Sequence, residues 1–390
     1  MTALPDQDLS SRIIAEIDRS GPIRLSRFMS TALSDSRQGY YQTRDPFGKR
    51  GDFTTAPEVS ALFGEMCGLF LAHMAEIAGL DNPNIIELGP GRGSLMADMR
   101  HVWKRLAPAL AVAPVHLVET SPYLRRLQTD RLPDARLVFH DNLDKLPSEP
   151  LFGVANEFFD ALPIDQAIWR ITDATSDGQR GRQGTWYHRL VGIVDGRLDF
   201  VDGPALTAAE HDKWGLTGPS QPPAVRIDTT DGSIIEYCPL AASIAAKLAH
   251  PIAAYGGACL IIDYGRDGPT GDSLQAVADH RPVDVFHQPG AADLSHWVDF
   301  SAIRQAVKVA GARLIGPVTQ GAFLKEIGII ERAETAGRAA DADGRRAIYA
   351  AVDRMVSAQH MGTAFKVALL APSGNGIPPG FATTNTTEGT

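Results

Sequence analysis

The sequence has few cysteines, no excess of positive charge and no long apolar run. Its three cysteines, Cys67, Cys238 and Cys259, lie far apart among 390 residues, which excludes a disulfide framework and a Cys-x-x-Cys metal site. The net charge of −9 argues against a nucleic-acid partner. No run of apolar residues approaches the roughly 18 that a membrane helix needs, so we expect no membrane span and no metal centre.

The first twenty residues also lack the features of a targeting segment. They carry Asp6, Asp8, Glu16 and Asp18 and no apolar core like that of a secretory signal. Hydrophobic residues make up 44% of the chain and charged residues 21%, as in globular proteins. We therefore expect a cytoplasmic protein with a sizeable core, arranged as two or three domains or as one large α/β domain with insertions.

The stretch from Asn84 to Arg100 has the pattern of a β-turn-α unit. An apolar run that ends at Leu88 predicts a buried parallel strand, and apolar residues at helical spacing from Leu95 onwards predict an amphipathic helix. Between them lie three glycines, Gly89, Gly91 and Gly93. Glycines allow backbone to approach a ligand closely, and the helix points its first N–H groups at the same place, so this unit predicts a cofactor site.

The spacing of the glycines favours S-adenosylmethionine (SAM) over NAD. A dinucleotide fingerprint is G-x-G-x-x-G, whereas the glycines here form G-x-G-x-G and Glu87 lies inside the strand. A carboxylate at that strand end is poorly placed for a pyrophosphate but well placed for the amino group or the sulfonium of SAM. The predicted cofactor-binding residues of this unit are Glu87, Gly89, Pro90, Gly91 and Gly93.

Polar residues follow three further predicted strands. Glu119 ends the second strand, where an acidic side chain binds the ribose in nucleotide-binding α/β folds. Asp141 and Asn142 follow the third strand and suit an adenine edge, although such a pair also commonly forms a turn. Asn156 ends the fourth strand. We predict that these four residues complete the cofactor site, because ligands bind at the carboxyl ends of parallel strands.

Two pairs of residues at strand ends are the predicted catalytic groups. Glu157 and Asp160 follow the fourth strand, and Asp263 and Tyr264 lie at the carboxyl end of a later buried strand. Their positions should bring them to the same crevice as the glycine turn. A helix cap is the alternative role for Asp160.

Several segments depart from the βα rhythm. Residues 8–34 predict two helices separated by Gly21-Pro22, and residues 164–235 predict an inserted β-rich subdomain with a hairpin turn at Asp195-Gly196. Within the insertion, residues 178–184 and 215–223 look like loops. The predicted organisation is an N-terminal helical segment with a substrate or cofactor loop over 1–80, a Rossmann-like domain over 81–371 with its insertion at about 164–235, and a disordered tail over 372–390.

Four motifs together resemble those of the MidA-like SAM-dependent methyltransferases. They are Gly51 to Glu58, Glu87 to Gly93, Asn156 to Pro163 and Ile262 to Gly265. The resemblance spans about residues 8–371, and Asn-Glu-Phe-Phe-Asp-Ala-Leu-Pro is much more specific than the glycine turn. It implies an α/β fold of the class I SAM-methyltransferase type, with a mostly parallel seven-stranded sheet and an antiparallel last strand.

The resemblance also carries expectations about function. It implies methyl transfer from SAM to an arginine of a protein substrate, because mitochondrial relatives in the family are associated with arginine methylation of a respiratory complex I subunit and with assembly of that complex. A respiratory-complex subunit is therefore one candidate partner. The motif around residues 51–58 becomes a substrate or cofactor loop, with Thr54, Thr55, Pro57 and Glu58 as its site residues. The alternatives are a non-catalytic SAM-binding assembly factor or chaperone, and an NAD-dependent oxidoreductase.

Overall fold

A computed structural model describes residues 8–43, 55–176, 179–216, 230–269, 271–374 and 376–382. The helices are α1 Leu9–Ser20, α2 Leu25–Ser34, α3 Tyr40–Thr43, α4 Ala56–Val59, α5 Ala61–Ala78, α6 Ser94–Leu106, α7 Pro108–Val112, α8 Pro122–Arg131, α9 Ala208–Lys213, α10 Pro239–Tyr255, α11 Phe300–Val309, α12 Gln320–Glu326, α13 Ile329–Ala339, α14 Ala342–Val356 and α15 Met361–Ala364.

The strands alternate with these helices along much of the chain. They are β1 Ile23–Arg24, β2 Asn84–Leu88, β3 Pro114–Val118, β4 Arg136–His140, β5 Leu151–Asn156, β6 Asp165–Ser176, β7 Gln179–Val194, β8 Arg197–Ala205, β9 Ile234–Tyr237, β10 Gly257–Arg266, β11 Gln275–Ala278, β12 Arg281–Val283, β13 Asp293–Ser295, β14 Val298–Asp299, β15 Ala312–Thr319 and β16 Phe365–Pro372.

The chain divides into two compact units, each built from discontinuous segments. The smaller unit contains Met1–Arg44, Ala161–Leu240 and Asp267–Ser301, and the larger unit contains Asp45–Asp160, Ala241–Arg266 and Ala302–Thr390. The N-terminal helices α1 and α2 thus share a unit with the inserted strands β6 to β9. The boundaries predicted above at residues 80 and 371 remain predictions.

The larger unit is built on a mixed sheet. Its strands follow one another in the order β15, β16, β10, β5, β2, β3 and β4. The pairs among β10, β5, β2, β3 and β4 are parallel, whereas β16 is antiparallel to both of its neighbours. The prediction of parallel strands with an antiparallel last strand is confirmed for these pairs. As a result, β2, β3, β4, β5 and β10 end at one edge of the sheet.

Helices α5 and α6 pack closely beside this sheet because glycines face the contact. A Cβ atom added to Gly68 would lie 2.9 Å from the Cα of Met99, and the indole of Trp103 donates a hydrogen bond of 2.8 Å to the carbonyl of Gly68. All five residues of β2 are buried, as expected for a central parallel strand. The core of this unit therefore fixes the position of the turn that joins β2 to α6.

Helix α5 corrects the expectation that no segment has the length and apolarity of a membrane span. Its 18 residues have a mean hydropathy of 1.3, which passes that test by length and composition. This is weak evidence, because eight residues of the helix are buried and side chains such as Phe63 and Met66 belong to the core of the larger unit. The helix also carries Glu65 and Glu76.

The smaller unit contains an antiparallel sheet in the order β1, β7, β6 and β9, with β8 paired to β7. The hairpin turn predicted at Asp195-Gly196 is confirmed, since Val194 pairs with Arg197 and both turn residues have positive φ angles. The prediction of a loop at 178–184 is wrong for residues 179–184, which pair with 171–176. Regular ladder pairing outweighs the glycine content of that segment.

Helix boundaries near the C-terminus also differ from prediction. The sequence pattern predicts one helix over residues 338–358, but α13 ends at Ala339 and α14 begins at Ala342. Asp341 separates them because its carboxylate accepts a hydrogen bond from the N–H of Gly344, which caps the start of α14. The pair of helices predicted over 8–34 is confirmed as α1 and α2.

Candidate active site

The turn between β2 and α6 has the backbone conformation that its glycines predict. Gly89, Gly91 and Gly93 have φ angles of +61°, +52° and +77°, and the N–H of Gly93 bonds the carbonyl of Pro90 at 2.7 Å. A Cβ atom on Gly89 would lie 2.9 Å from a ring carbon of Phe158. Gly93 caps α6 without a side-chain bond, so the first N–H groups of this 13-residue helix lie at the turn.

Glu87 lies buried at the start of this turn. The residue is 3% exposed, and its Oε2 atom has no hydrogen-bond partner among the described residues. Burial raises the pKa of Glu87 well above the usual carboxyl range, and the negative charge of Asp98 adds to the effect. An unpaired buried carboxylate is costly, so this position favours a cation that would offset the cost.

Further carboxylates lie close to Glu87. Burial raises the pKa of Asp98 on α6 to about 7, and the charges of Glu65 and Glu58 act in the same direction while Arg131 opposes them. Glu58 accepts a hydrogen bond of 2.7 Å from the hydroxyl of Ser94. Several carboxyl groups are therefore concentrated near the start of α6, and the charged forms of Glu87 and Asp98 are disfavoured there.

Two carboxylates of this group, Glu65 and Glu58, form ion pairs with arginines. Arg332 lies 2.7 Å from a carboxylate oxygen of Glu65, and Arg92 lies 3.8 Å from one of Glu58. No ion pair of 4 Å or less reaches Glu87 or Asp98 from the described part of the chain. Within the described residues, Glu87 and Asp98 are thus the two carboxyls of this group that no ion pair reaches.

Glu119 follows β3 and is held by several donors. Its Oε1 atom accepts a 2.8 Å bond from the N–H of Ser121, and its Oε2 atom lies 3.4 Å from Nε2 of Gln128. Burial raises the pKa of Glu119, and the Ser121 hydrogen bond opposes that rise. The fixed carboxylate is well suited to accept hydrogen bonds from ribose hydroxyls.

Asp141 and Asn142 are both engaged in local contacts after β4. Arg125 lies 2.6 Å from Asp141, whose side chain is 78% exposed. The side-chain oxygen of Asn142 accepts the N–H of Asp144 at 2.9 Å, which is the turn that was the alternative interpretation. Arg125 also bonds the carbonyl of Glu119, so it connects the ends of β3 and β4.

The Asn156-Glu157 pair lies at the end of β5. The side-chain amide of Asn156 donates to Oε1 of Glu157 at 3.2 Å, and the N–H of Ala56 donates to the same oxygen at 3.3 Å. The Oδ1 atom of Asn156 is buried and has no partner among the described residues. Glu157 has a φ angle of +49°, an uncommon value for a residue with a side chain.

Asp263 holds the turn that contains Glu157. It is fully buried, and its Oδ2 atom accepts the N–H groups of Phe158 at 3.2 Å and Phe159 at 2.8 Å, while Oδ1 accepts that of Tyr264 at 2.9 Å. Burial raises the pKa of Asp263; the Phe159 N–H opposes this and the charge of Glu157 adds to it. These contacts use both oxygens of Asp263 to support backbone.

The remaining predicted residues have diverse positions. Asp160 lies in a turn that leads to β6 rather than to a helix, so the helix-cap alternative is wrong. The ring of Tyr264 lies 5.9 Å from that of Phe365. Thr55 caps α4 through its backbone and Pro57 lies in the first turn of α4. Thr54 lies outside the described residues.

Sequence reasoning missed Gln128, which bonds two predicted site residues, and Asp98, whose charge acts on Glu87. Gln128 on α8 donates a 2.7 Å bond to the carbonyl of Gly91. A signal for it existed, because Gln128 follows Leu124 by four residues and so occupies a core-facing position where an apolar residue is expected. Asp98 had no signal, since an acidic residue on a helix is usually exposed.

The residues present fit SAM. The buried unpaired oxygen of Glu87 suits a cationic group, the positive φ angles of the glycine turn leave backbone accessible, and Glu119 suits ribose hydroxyls. Among the described residues, no group of three His, Cys, Asp or Glu could hold a metal ion. An α/β sheet with these groups at its carboxyl edge defines an enzyme that uses a nucleoside cofactor.

Comparison with known proteins identifies the family. The family model for S-adenosyl-L-methionine-dependent methyltransferases matches residues 66–318. The chain belongs to this family of SAM-dependent methyltransferases, which removes the NAD-dependent oxidoreductase from consideration. The predicted resemblance, enzyme class and cofactor are confirmed.

Named relatives and a solved structure agree with this assignment. The chain is 32% identical to the mitochondrial protein arginine methyltransferase NDUFAF7 of Xenopus tropicalis, over 93% of this chain and 86% of the relative. It is 31% identical to the human protein of that name, over 94% and 84%. A likely methyltransferase from Burkholderia thailandensis, solved bound to S-adenosyl-homocysteine, is 28% identical to this chain and aligns with a TM-score of 0.79. The alignment covers 96% of this chain and 94% of that one.

Proposed function

We propose that this protein is a class I methyltransferase that transfers the methyl group of SAM to an arginine side chain of a protein. The observation that carries the proposal is the buried Oε2 atom of Glu87, which has no hydrogen-bond partner among the described residues, at the start of a glycine turn. The order of the parallel strands with the antiparallel β16 supports the class I assignment. The printed names of the relatives support arginine as the acceptor.

The cofactor would be held by the ends of three neighbouring strands. Glu87 and the glycine turn would hold its amino-acid end, and Glu119 would accept hydrogen bonds from its ribose. Asn156 would contribute its unpaired Oδ1 atom as an acceptor. When bound, SAM supplies an electrophilic methyl carbon on a positively charged sulfur.

Glu157 and Asp160 would act on the arginine. A guanidinium is protonated at any ordinary pH, so its nitrogen becomes a nucleophile only if carboxylates orient it and one accepts a proton as the N–C bond forms. Glu157 is suited to this because two donors fix its Oε1 atom. Asp160, three positions along, is the second carboxylate of the pair.

Asp263 would serve this reaction as a positioning residue. Its hydrogen bonds to the N–H groups of Phe158 and Phe159 hold the Glu157 turn in a left-handed conformation that the chain would not otherwise favour. We assign Tyr264 to the same edge, behind the carboxylate pair. A substrate loop formed by Thr54, Thr55, Pro57 and Glu58 belongs to the same proposal.

The partner and the location of the protein are part of the proposal. A subunit of a respiratory complex is the candidate substrate, with a role in assembly of complex I, because the named relatives are mitochondrial. We propose a cytoplasmic location for this chain. Fractionation of cells that express the full chain tests the location.

Labelled methyl transfer tests the activity and the acceptor together. The purified protein is incubated with methyl-labelled SAM and a lysate from cells that lack it, and labelled proteins are hydrolysed for amino-acid analysis. We expect label in methylated arginine. The Gly91→Val variant is the control, because a branched side chain at a positive φ angle should exclude the cofactor while the fold remains.

The possible results separate the candidate functions. Label in another amino acid would contradict the arginine acceptor, and SAM binding without any transfer would favour the non-catalytic assembly factor. Equal transfer by wild type and by a folded Gly91→Val protein would contradict the cofactor site. Size measurements on the same samples would establish the oligomeric state.

A further inference from the structure

Gln128 on α8 connects the two parts of the cofactor site. Its side chain is fully buried, and its Nε2 atom lies 2.7 Å from the carbonyl of Gly91 and 3.4 Å from Oε2 of Glu119. Gly91 belongs to the turn after β2, whereas Glu119 follows β3. One amide group therefore donates to both strand ends that the cofactor would contact.

We propose that Gln128 is a positioning residue that couples the glycine turn to Glu119 and thereby sets the affinity for SAM. The inference rests on the proposed cofactor site and adds to it a residue that does not react. Both acceptors face the nitrogen, so both amide hydrogens are used and the amide has one orientation. A carboxylate and a carbonyl held by one rigid group are preorganised for the ribose and for the amino-acid end of one ligand.

The helix that carries Gln128 is itself fixed to Glu119. The hydroxyl of Ser121 caps α8 by accepting the N–H of Leu124, and the N–H of Ser121 donates to Oε1 of Glu119. A Cβ atom on Gly93 would lie 3.5 Å from Cγ of Gln128, so the glycine turn packs directly on the side chain. Glu119 is thus held from both oxygens by residues at the two ends of one short segment.

The other end of the amide is unsatisfied. Oε1 of Gln128 is buried and has no hydrogen-bond partner within the described ranges. A buried acceptor without a donor costs free energy that an apolar side chain of similar size would avoid. Glutamine at this position is therefore poorly explained by stability of the core and well explained by the two bonds that its nitrogen makes.

Replacement of the amide tests the role in affinity. Gln128→Met keeps the length of the side chain and removes both donors. We expect the Kd for SAM to rise about tenfold, the usual effect of losing such bonds, and the KM for SAM to rise similarly, while kcat at saturating SAM stays within about twofold. The control is Leu124→Met, which alters a second buried side chain of the same helix.

A double-variant cycle tests the coupling. Glu119→Ala and Gln128→Met are made singly and together, and SAM affinity is measured for each. We expect the double variant to lose less affinity than the sum of the two single losses, because the bond between the two side chains can be lost only once. General damage to the core would not produce that result.

Calorimetric titration and thermal melting of all variants give a clear decision. Unchanged SAM affinity in Gln128→Met, or a loss equal to that in Leu124→Met, would overturn the inference. Strictly additive losses of affinity in Glu119→Ala and Gln128→Met would overturn the coupling. Failure of the wild-type protein to bind SAM would instead overturn the proposed function, so the two failures are distinguishable.

Discussion

The carboxyl edge of the sheet has two halves that differ in how their acidic residues are satisfied. At the ends of β3 and β4, Glu119 and Asp141 are each tied to protein donors, and Arg125 contacts both segments. At the end of β2, Glu87 has an unpaired oxygen and lies near the partly uncompensated Asp98. In the first half the acidic side chains have protein donors, whereas in the second half Glu87 has an oxygen with no partner among the described residues.

The difference indicates which part of a ligand each half would accept. Carboxylates that are already fixed can receive neutral hydroxyl groups without rearrangement, as a ribose requires. The charged form of a buried carboxylate is stabilised most by a positive group, such as the amino group or the sulfonium of SAM. A ligand that is neutral at one end and cationic at the other would therefore bind in one orientation.

The largest expected effect is on the rate of methyl transfer and comes from Glu157, which follows β5. Glu157→Gln keeps shape and most hydrogen bonds but removes the charge that would hold a guanidinium. We expect methyl transfer to fall by roughly 100-fold or more, with SAM affinity nearly unchanged. Asp160→Asn should act in the same direction, less strongly.

Single-turnover assays and SAM titrations measure the two quantities for Glu157→Gln. The matched control is Glu76→Gln, the same change at an exposed position of α5. Parallel loss of SAM binding and activity would move Glu157 into the cofactor site. Normal values of both would remove the main support for an arginine acceptor.

The next effect concerns Glu87 itself. Its raised pKa means that a bound cation should favour loss of its proton, so SAM affinity should increase with pH in the wild type. Glu87→Gln should weaken SAM by roughly 10- to 100-fold and flatten the pH dependence. Calorimetry with SAM and S-adenosylhomocysteine between about pH 6 and about pH 8 measures both effects.

The comparison of the two ligands locates the cation. A loss confined to SAM would place Glu87 near the sulfonium, since S-adenosylhomocysteine lacks that charge. An equal loss for both would place it near the amino group, which both share. Unchanged affinity for both ligands would show that the carboxylate of Glu87 has no part in binding.

A smaller effect is expected in the satisfied half. Glu119→Ala should weaken SAM by about 1–3 kcal/mol, the scale of hydrogen bonds to a charged acceptor. Since the carboxylate is fixed by Ser121 and Gln128 in the free protein, its loss should also lower the melting temperature slightly. Titration and melting curves test this. Wild-type affinity would mean that β3 does not contribute to the cofactor site.

The smallest effect is on stability and comes from Asp98. Its folded pKa of about 7 lies above the value for an unfolded carboxyl, so the folded state binds its proton more tightly. This contribution favours folding below the unfolded pKa near 4 and is lost as pH rises through about 7. Asp98→Asn should therefore raise the melting temperature more at about pH 8 than at about pH 5, because only part of the loss has occurred by pH 5.

A control distinguishes this from a general effect of charge. Asp134→Asn removes a carboxylate that is 75% exposed and lies 3.3 Å from Lys104, and it should show no such rise. If Asp98→Asn gave the same change in melting temperature at both pH values, its carboxyl would not be titrating in this range.

Local patterns in the sequence were sufficient to predict the elements that carry the site. The apolar run of β2, the glycines of the turn and the acidic end of β3 each depend on neighbours along the chain, and the structure has them in the predicted strands and turn. The parallel sheet then brings strand ends together whatever their separation in sequence. For this reason residues as far apart as Glu87 and Asp263 could be predicted to lie at one edge.

What could not be predicted depends on contacts between distant segments. Asp263 was expected among the reacting groups, but its oxygens bind the backbone of Phe158 and Phe159, which only the packed fold reveals. Asp98 looks like an ordinary helix residue until α5 is placed against α6. The pairing of 179–184 with 171–176 was missed because glycine content describes one strand and not the ladder.

The left-handed backbone at Glu157 has a consequence for the history of variants of this protein. A residue with a side chain is disfavoured at a φ angle of +49°, whereas glycine is comfortable there. Selection for heat resistance alone would therefore favour glycine at position 157, whereas the role proposed for Glu157 in methyl transfer would oppose that replacement. In thermostable relatives that no longer catalyse the reaction, we therefore expect this glutamate to be replaced early. Its replacement would then mark the loss of catalytic activity.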